Sequence, residues 1–259
     1  MDPVGTQYGS ERLVSRTEYR RSLFYRAKLG AAARVRVPTV KKSSVFQPGR
    51  NRSGHSLLKR LLAIRNQFPE RRDEIDERLR EAFQRNVAVL VLDMVGFSRS
   101  TVERGIIHYL AMIHQMDEAA RPAVTGNGGV VIKQEADNLY AIFEDPALAL
   151  ESALDIFRAF DAVNSVVPTE RDIFGSIGIG YGAVLVIDEK EIFGSEVNVA
   201  CKLGEDIAQR NEILITESAY NALPPDRYIC SPDTVSISEM TLNYYRYQAS
   251  ILPKSAPPV

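Results

Sequence analysis

The residues best placed to do chemistry are two aspartates, Asp93 and Asp137. Asp93 closes the run Val87-Ala88-Val89-Leu90-Val91-Leu92 and is followed by Met94, Val95 and a Gly96-Phe97-Ser98 turn. A short, continuous aliphatic run reads as a strand buried on both faces. A carboxylate at the carboxyl end of such a strand, just before a glycine turn, is well placed to face a ligand. It is costly to bury there unless it is paired or bound to a cation; taken alone it reads as no more than a cap for the next helix. Asp137 lies in a second stretch, Val130-Val131-Ile132-Lys133, then Gln134-Glu135-Ala136-Asp137, then Asn138 to Phe143. That pattern is strand, short turn, strand, with the acid at the turn. Pairing of the two stretches in one sheet would bring Asp93 and Asp137 side by side. Two converging carboxylates want a hard divalent cation with oxygen ligands, Mg²⁺ or Mn²⁺.

Three segments taken in order, Leu92 to Ser98, Lys133 to Phe143 and Glu191 to Leu203, resemble the catalytic domain of the class III nucleotidyl cyclases, the family of adenylate and guanylate cyclases. The resemblance runs from about Asn86 to Leu223, and several motifs in order are far more specific than any one of them. It implies attack of the ribose 3′-hydroxyl on the α-phosphorus of the same triphosphate, with loss of pyrophosphate. It also implies two metal ions per active site, Mg²⁺ or Mn²⁺, roughly 4 Å apart. Asp93 and Asp137 match the family's metal-binding acids. The Met94 carbonyl would complete a site, and the Gly96 and Phe97 amides would meet the phosphates. Lys133 and Glu191 match the two positions that read the base. Asn198 matches the residue that orients the ribose, and Lys202 the cation that stabilises the transition-state phosphate, on the same helical face as Asn198.

Each of these residues also has a plainer reading: Lys133 as a solvated strand lysine, Glu191 as a hairpin surface acid, Asn198 as a helix N-cap. The chain departs from the family pattern in four places. Glu191 stands where adenylate cyclases usually have Asp or Thr. Lys202 replaces an Arg, keeping the charge and losing the bidentate fork. Ala136 replaces the Gly before the second metal acid, a constraint if φ is positive there. No Lys within Ser236 to Tyr247 corresponds to the one that holds the terminal phosphates.

Lys133 suits adenine, whose ring nitrogen accepts, whereas guanylate cyclases usually carry Glu at that position. The resemblance therefore implies an adenylate cyclase making 3′,5′-cyclic AMP from ATP. It implies a head-to-tail homodimer in which Asp93 and Asp137 of one subunit face Lys133, Glu191, Asn198 and Lys202 of the other. Two alternatives stay open: a cyclase of the same fold using GTP or a pyrimidine triphosphate, and a degenerate cyclase fold serving as a nucleotide sensor.

The elements that must position these residues are legible from pattern. Of 259 residues 45% are hydrophobic and 25% charged, an ordinary globular composition with room for one well-filled domain and an appendage. Net charge is -1 but uneven: residues 1–54 carry twelve Lys/Arg against three acids. Residues 1–54 read as a basic, largely disordered arm, with a short helix over Glu18–Leu29. Contact with nucleic acid, an anionic membrane or a docking partner competes there with a simple solvated tail, which the composition favours. Residues 55–85 read as an amphipathic helical segment broken at Pro69, packing either across a dimer or on the chain's own surface. The resemblance makes residues 86–251 the catalytic domain, and 252–259 read as a disordered tail.

Within the domain the order β-α-β-β-α-β predicts an α+β, ferredoxin-like core. Its first helix is expected to turn Ile106, Ile107, Leu110, Ile113 and Met116 to one side. The second, Pro146–Val163, turns Ala149, Ala153, Ile156 and Phe160 inward. A third spans Ile192–Leu203, and strands around Thr234–Ile237 and Tyr244–Tyr247 close the sheet. Two cysteines in no metal or redox spacing, no run of 18 apolar residues and no signal-peptide core point to a cytoplasmic protein.

Overall fold

The aliphatic run that ends at Asp93 forms the middle of a sheet. The computed structural model describes residues 53–96, 105–237 and 240–250; the expected Glu18–Leu29 helix, Phe97 and the tail after Ile251 lie outside them. The chain enters through helix α1 (Gly54–Gln67), a 3₁₀ turn (Pro69–Arg71) and α2 (Arg72–Phe83), then strand β1 (Gln84–Met94) and α3 (Ile106–Gly126). There follow β2 (Val130–Glu135), β3 (Asn138–Phe143), α4 (Pro146–Asn164), β4 (Gly175–Ile187), β5 (Glu191–Phe193) and α5 (Ser195–Cys201). A π-helical segment (Lys202–Ile207) leads to β6 (Ile213–Thr216), α6 (Glu217–Asn221), β7 (Tyr228–Ile237) and β8 (Met240–Ser250).

The sheet order is β2-β3-β1-β4-β6-β8-β7, with β5 paired to β4. Its first four strands, joined through α3 and α4, make the expected ferredoxin-like unit, and β1 lies antiparallel between β3 and β4. Strand alternation sorts β1 into two cores. Ala88, Leu90, Leu92 and Met94 join Met116, Ala120, Ala149, Ala153, Ile156 and Phe160 from α3 and α4. Val87, Val89 and Val91 join Ile132, Tyr140, Ile142, Val184, Val197 and Ala200 on the opposite face. Local signals start the helices. Asp145 caps α4 by accepting from the Ala147 amide at 2.6 Å, with Pro146 at the first helical position.

Two expectations are corrected. The buried seam of α3 is Tyr109, Met116, Ala120 and Val124, whereas Ile106, Ile107 and Leu110 are exposed. At roughly 100° per residue, Ile107 falls on nearly the opposite side of the helix from Tyr109, so an apolar cluster at the helix start was not the core stripe. The third helix begins at Ser195, because Glu191–Phe193 is an edge strand, and it widens into the π segment at Lys202. The helical segment before β1 packs on this chain's own sheet: Leu61, Ile75, Leu79 and Phe83 form one cluster with Ile187.

The second face of the sheet is covered at very short range. A Cβ at Gly178 on β4 would lie 2.0 Å from the Ala200 carbonyl oxygen and 2.7 Å from the Gly204 nitrogen. A Cβ at Gly204 would lie 2.9 Å from the Gly178 nitrogen and 3.0 Å from the Val91 carbonyl. Backbone thus rests on backbone, which only glycine permits. Gly178→Ala is expected to cost about 3 kcal/mol, the upper range for overpacking, read as a lower urea midpoint.

Candidate functional site

Asp93 sits one residue from the end of β1, on the Val87-Val89-Val91 face by strand alternation. It pairs in register with Asn138 of β3 and Ser176 of β4. Asp137 immediately precedes Asn138, so the pairing of β1 with β3 brings the two acids together. Their mutual influence is electrostatic. Burial first, then the Asp137 and Glu205 charges, push the Asp93 carboxyl up to about 7. Tyr109 of α3 directs its hydroxyl at Asp137 and is raised by burial and by that acid.

The turn that carries Asp137 is strained: Ala136 has φ +52°. The substitution of Gly by Ala at this position therefore does put a Cβ in the left-handed region.

Lys133 reaches the same face through an irregularity. Val131 pairs with Ala141 and Lys133 with Tyr140, leaving Ile132 as the extra residue of a β-bulge. Simple alternation from Val131 would have turned Lys133 to the α3–α4 side; the bulge re-aims it. Its ammonium lies 5.1 Å from the centre of the Tyr140 ring, 2.9 Å from Glu135 and 3.8 Å from Glu191. Lys133 and Glu191, read from sequence as a pair, are thus neighbours, and Glu191 is not an isolated hairpin acid.

Asn198 and Lys202 stand one turn apart on α5, joined by a main-chain bond from the Lys202 amide to the Asn198 carbonyl. Asn198 is interior to the helix, whose N-cap position belongs to Gly194, so the capping alternative is set aside. The Lys202 ammonium is held by Asp206 at 2.5 Å. Gly96 adopts φ +94° and is exposed at the turn after β1. In the β7–β8 hairpin the cation is Arg246, engaged by Glu212 and Asp233.

One participant was missed in the sequence. Glu205, in the π segment, accepts from the Asn138 side-chain amide at 2.9 Å and from the Tyr140 hydroxyl at 3.3 Å. Burial, then the neighbouring acids, hold its carboxyl above the usual range. The available signal was its place three residues after Lys202, one turn along the same helix.

Among the described residues no three His, Cys, Asp or Glu side chains form a ready metal cage. The chain offers two carboxylates and a main-chain carbonyl, from Asp93, Asp137 and Met94. These are hard oxygen donors whose surplus negative charge suits a divalent cation.

No protein-family model matches the chain, and no curated protein does. Solved structures match over nearly their whole length. The guanylyl cyclase Cya2 superposes with a TM-score of 0.60 at 17% identity, covering 66% of this chain and 96% of that one. The adenylyl cyclase CyaB from P. aeruginosa gives 0.57 at 18%, covering 64% and 95%. An adenylate/guanylate cyclase/hydrolase from Silicibacter pomeroyi gives 0.54 at 27%, covering 63% and 95%. This is the fold of the class III nucleotidyl cyclase catalytic domain. Both adenylyl and guanylyl cyclases share it, so the fold of the cyclase domain leaves the base open. No helix among the described residues is long and apolar enough to cross a membrane.

The acid cluster at the end of β1 has a measurable consequence. The folded Asp93 carboxyl titrates above its usual value of 3.8, so the folded state binds the extra proton between about 4 and 7. Stability is gained below that window and lost as pH rises through it. In chelator at pH 8, Asp93→Asn is expected to raise the thermal midpoint by about 2–4 °C, a modest gain because the carboxyl is only half-buried and screened. Glu205→Gln keeps an acceptor for Asn138 and Tyr140 while removing a repelling charge. It should move the midpoint the same way by less, as read by differential scanning fluorimetry.

Proposed function

We propose that the protein is an adenylate cyclase, converting ATP to 3′,5′-cyclic AMP and pyrophosphate at sites shared between two copies of the chain. The observation that carries the choice of base is the adjacency of Lys133 and Glu191. Adenine presents a ring nitrogen that accepts beside an amino group that donates. A lysine donor beside a carboxylate acceptor complements that edge, each exchanging its partner for the base. In this reading Asp93, Asp137 and the Met94 carbonyl would hold Mg²⁺ or Mn²⁺. Bound there, the metal would lower the pKa of the 3′-hydroxyl and offset charge on the phosphates. The chain's own groups do the rest. The Gly96 turn offers its amide to the phosphates, Asn198 orients the ribose, and Lys202 places a positive charge at the α-phosphate. In the family's head-to-tail arrangement the acids of one copy face the base-reading pair of the other, and because one chain carries both halves a homodimer would hold two equivalent sites.

A second reading follows from the same pair. With roles exchanged, Lys133 could donate to the guanine carbonyl and Glu191 accept from its ring N–H, so GTP is the competitor to test. If each side chain is held in the role that adenine requires, guanine mismatches both; each mismatched buried group costs about 1–3 kcal/mol, and two together give on the order of a hundredfold. The expected result is kcat/KM for ATP about a hundredfold above that for GTP. Lys133→Glu combined with Glu191→Cys should erode or invert the ratio. Equal wild-type values, or preference for GTP, would reassign the substrate.

Shared sites are tested by complementation. Asp137→Ala and Asn198→Ala are each expected to be inactive with Mn²⁺, and their mixture to regain activity through the one intact site of each heterodimer. Absence of recovery after demonstrated subunit exchange would place each site within one chain.

A further inference from the structure

The hairpin that presents Glu191 is closed by a turn that strains one of its two central residues. Asp188 and Glu189 have φ of +52° and +53°, and the Lys190 amide bonds to the Ile187 carbonyl at 3.0 Å. A turn with two left-handed central residues accepts asparagine, aspartate or glycine at the first of them, as Asp188 here, but normally takes glycine at the second, where the Cβ of Glu189 is strained. A partner outside the hairpin can offset that strain.

The outside partner is α1. The Asp188 carboxylate accepts from the Gly54 amide at 2.7 Å and the His55 amide at 3.2 Å. These open a helix whose first amides have no partner within it and whose first turn contains no acid. Asp188 supplies the acceptor and the negative charge that a helix N-terminus favours, from a position 134 residues away. The fit is close: a Cβ on residue 54 would lie 2.6 Å from the Asp188 oxygen. Around it Leu185 and Ile187 pack with Leu61, Ile75, Leu79 and Phe83, and Arg85 faces Glu189 at 3.8 Å. On the other side of the turn, Ile187 pairs in register with Glu191, whose carboxylate lies 3.8 Å from Lys133.

We propose that Asp188 is a positioning residue. It latches the start of α1 to the β4–β5 turn and thereby fixes Glu191 against Lys133, so that selection of the base depends on how α1 is seated. The proposal rests on the reading of Lys133 and Glu191 as the base-reading pair. Any displacement of Gly54 removes the bonds that favour the strained turn, and Asp188 is three residues from Glu191.

The test uses the full chain and separates the latch from the turn. Asp188→Gly suits a left-handed turn but cannot bond to α1. Asp188→Asn suits the turn and keeps an acceptor. Amide hydrogen exchange over 54–56 and 190–193 is read beside kcat and KM for ATP and GTP. In Asp188→Gly, exchange in both segments is expected to rise about tenfold. The ATP-over-GTP ratio is expected to fall about tenfold, mainly through KM, and Asp188→Asn to restore most of both. Wild-type exchange in Asp188→Gly would overturn the latch. Faster exchange with an unchanged ratio would overturn the positioning role, provided Glu191→Ala does change the ratio. If Glu191→Ala leaves the ratio unchanged, the base-reading assignment itself fails and the specificity role of Asp188 falls with it.

Discussion

The spacing between α5 and the centre of the sheet is set by the missing side chains at Gly178 and Gly204. Ordinary helix-on-sheet packing separates backbones by two layers of side chains. Here the Gly204 main chain lies directly over Gly178 and the Val91 carbonyl. That descent is what lets the next residue, Glu205, reach Asn138 and Tyr140 on β3, beside Asp137. It also buries Leu203 completely, in a cluster with Leu214 and Tyr244. The wider π turn accommodates both: one residue is driven into the core and, two residues later, another is turned to the sheet's charged end. π segments recur where function needs such a departure from regular helix.

The charges near the site are distributed unequally. The lysines are neutralised within the chain, Lys133 by Glu135 and Glu191, Lys202 by Asp206. Asp93, by contrast, is half-buried beside the charges of Asp137 and Glu205, and burial first, then that repulsion, pushes its carboxyl up to about 7. On the proposed reading, a magnesium–nucleotide complex would bring cations to the carboxylates and a phosphate oxygen to Lys202 in exchange for Asp206. A neutral sugar or a free base carries neither. The arrangement therefore favours a polyanion accompanied by divalent metal, independently of which base is attached.

How far the sequence led depended on whether a signal was local. The buried run before Asp93, the acid at the β2–β3 turn and the amphipathic α4 are written in consecutive residues and appear as expected. The strain at Ala136 was also legible, as an Ala at a glycine position. The bulge at Ile132 was not: nothing in Val-Val-Ile-Lys marks an extra residue, and the register is fixed by pairing with β3. Lys133 was therefore placed by motif spacing, while its direction came from tertiary pairing. Glu205 had only its spacing from Lys202 to mark it, since its approach to Asn138 depends on two glycines 26 residues apart in the chain. The misjudged seam of α3 shows the converse. Ile106, Ile107 and Leu110 are apolar but off the helix stripe, and hydrophobicity alone does not say which side is inward.

If Lys202 faces the α-phosphate as proposed, a point charge must do the work of a fork. An arginine would engage two phosphate oxygens in one plane and so define direction as well as charge. The ammonium of Lys202 has no such plane, but Asp206 one turn on restrains it, limiting the rotamers it samples. That restraint recovers part of the orientation at the expense of some of the field, because the carboxylate shields the charge it aims. In the β7–β8 hairpin, Arg246 is already committed to Glu212 and Asp233. In a cyclisation reaction the developing charge on pyrophosphate must be met by something. With one shielded ammonium and one engaged guanidinium, the proposed reaction would have to draw most of that compensation from cations held by Asp93 and Asp137. On the proposed reading, activity would therefore depend on divalent metal more heavily than in a site with two free side-chain cations.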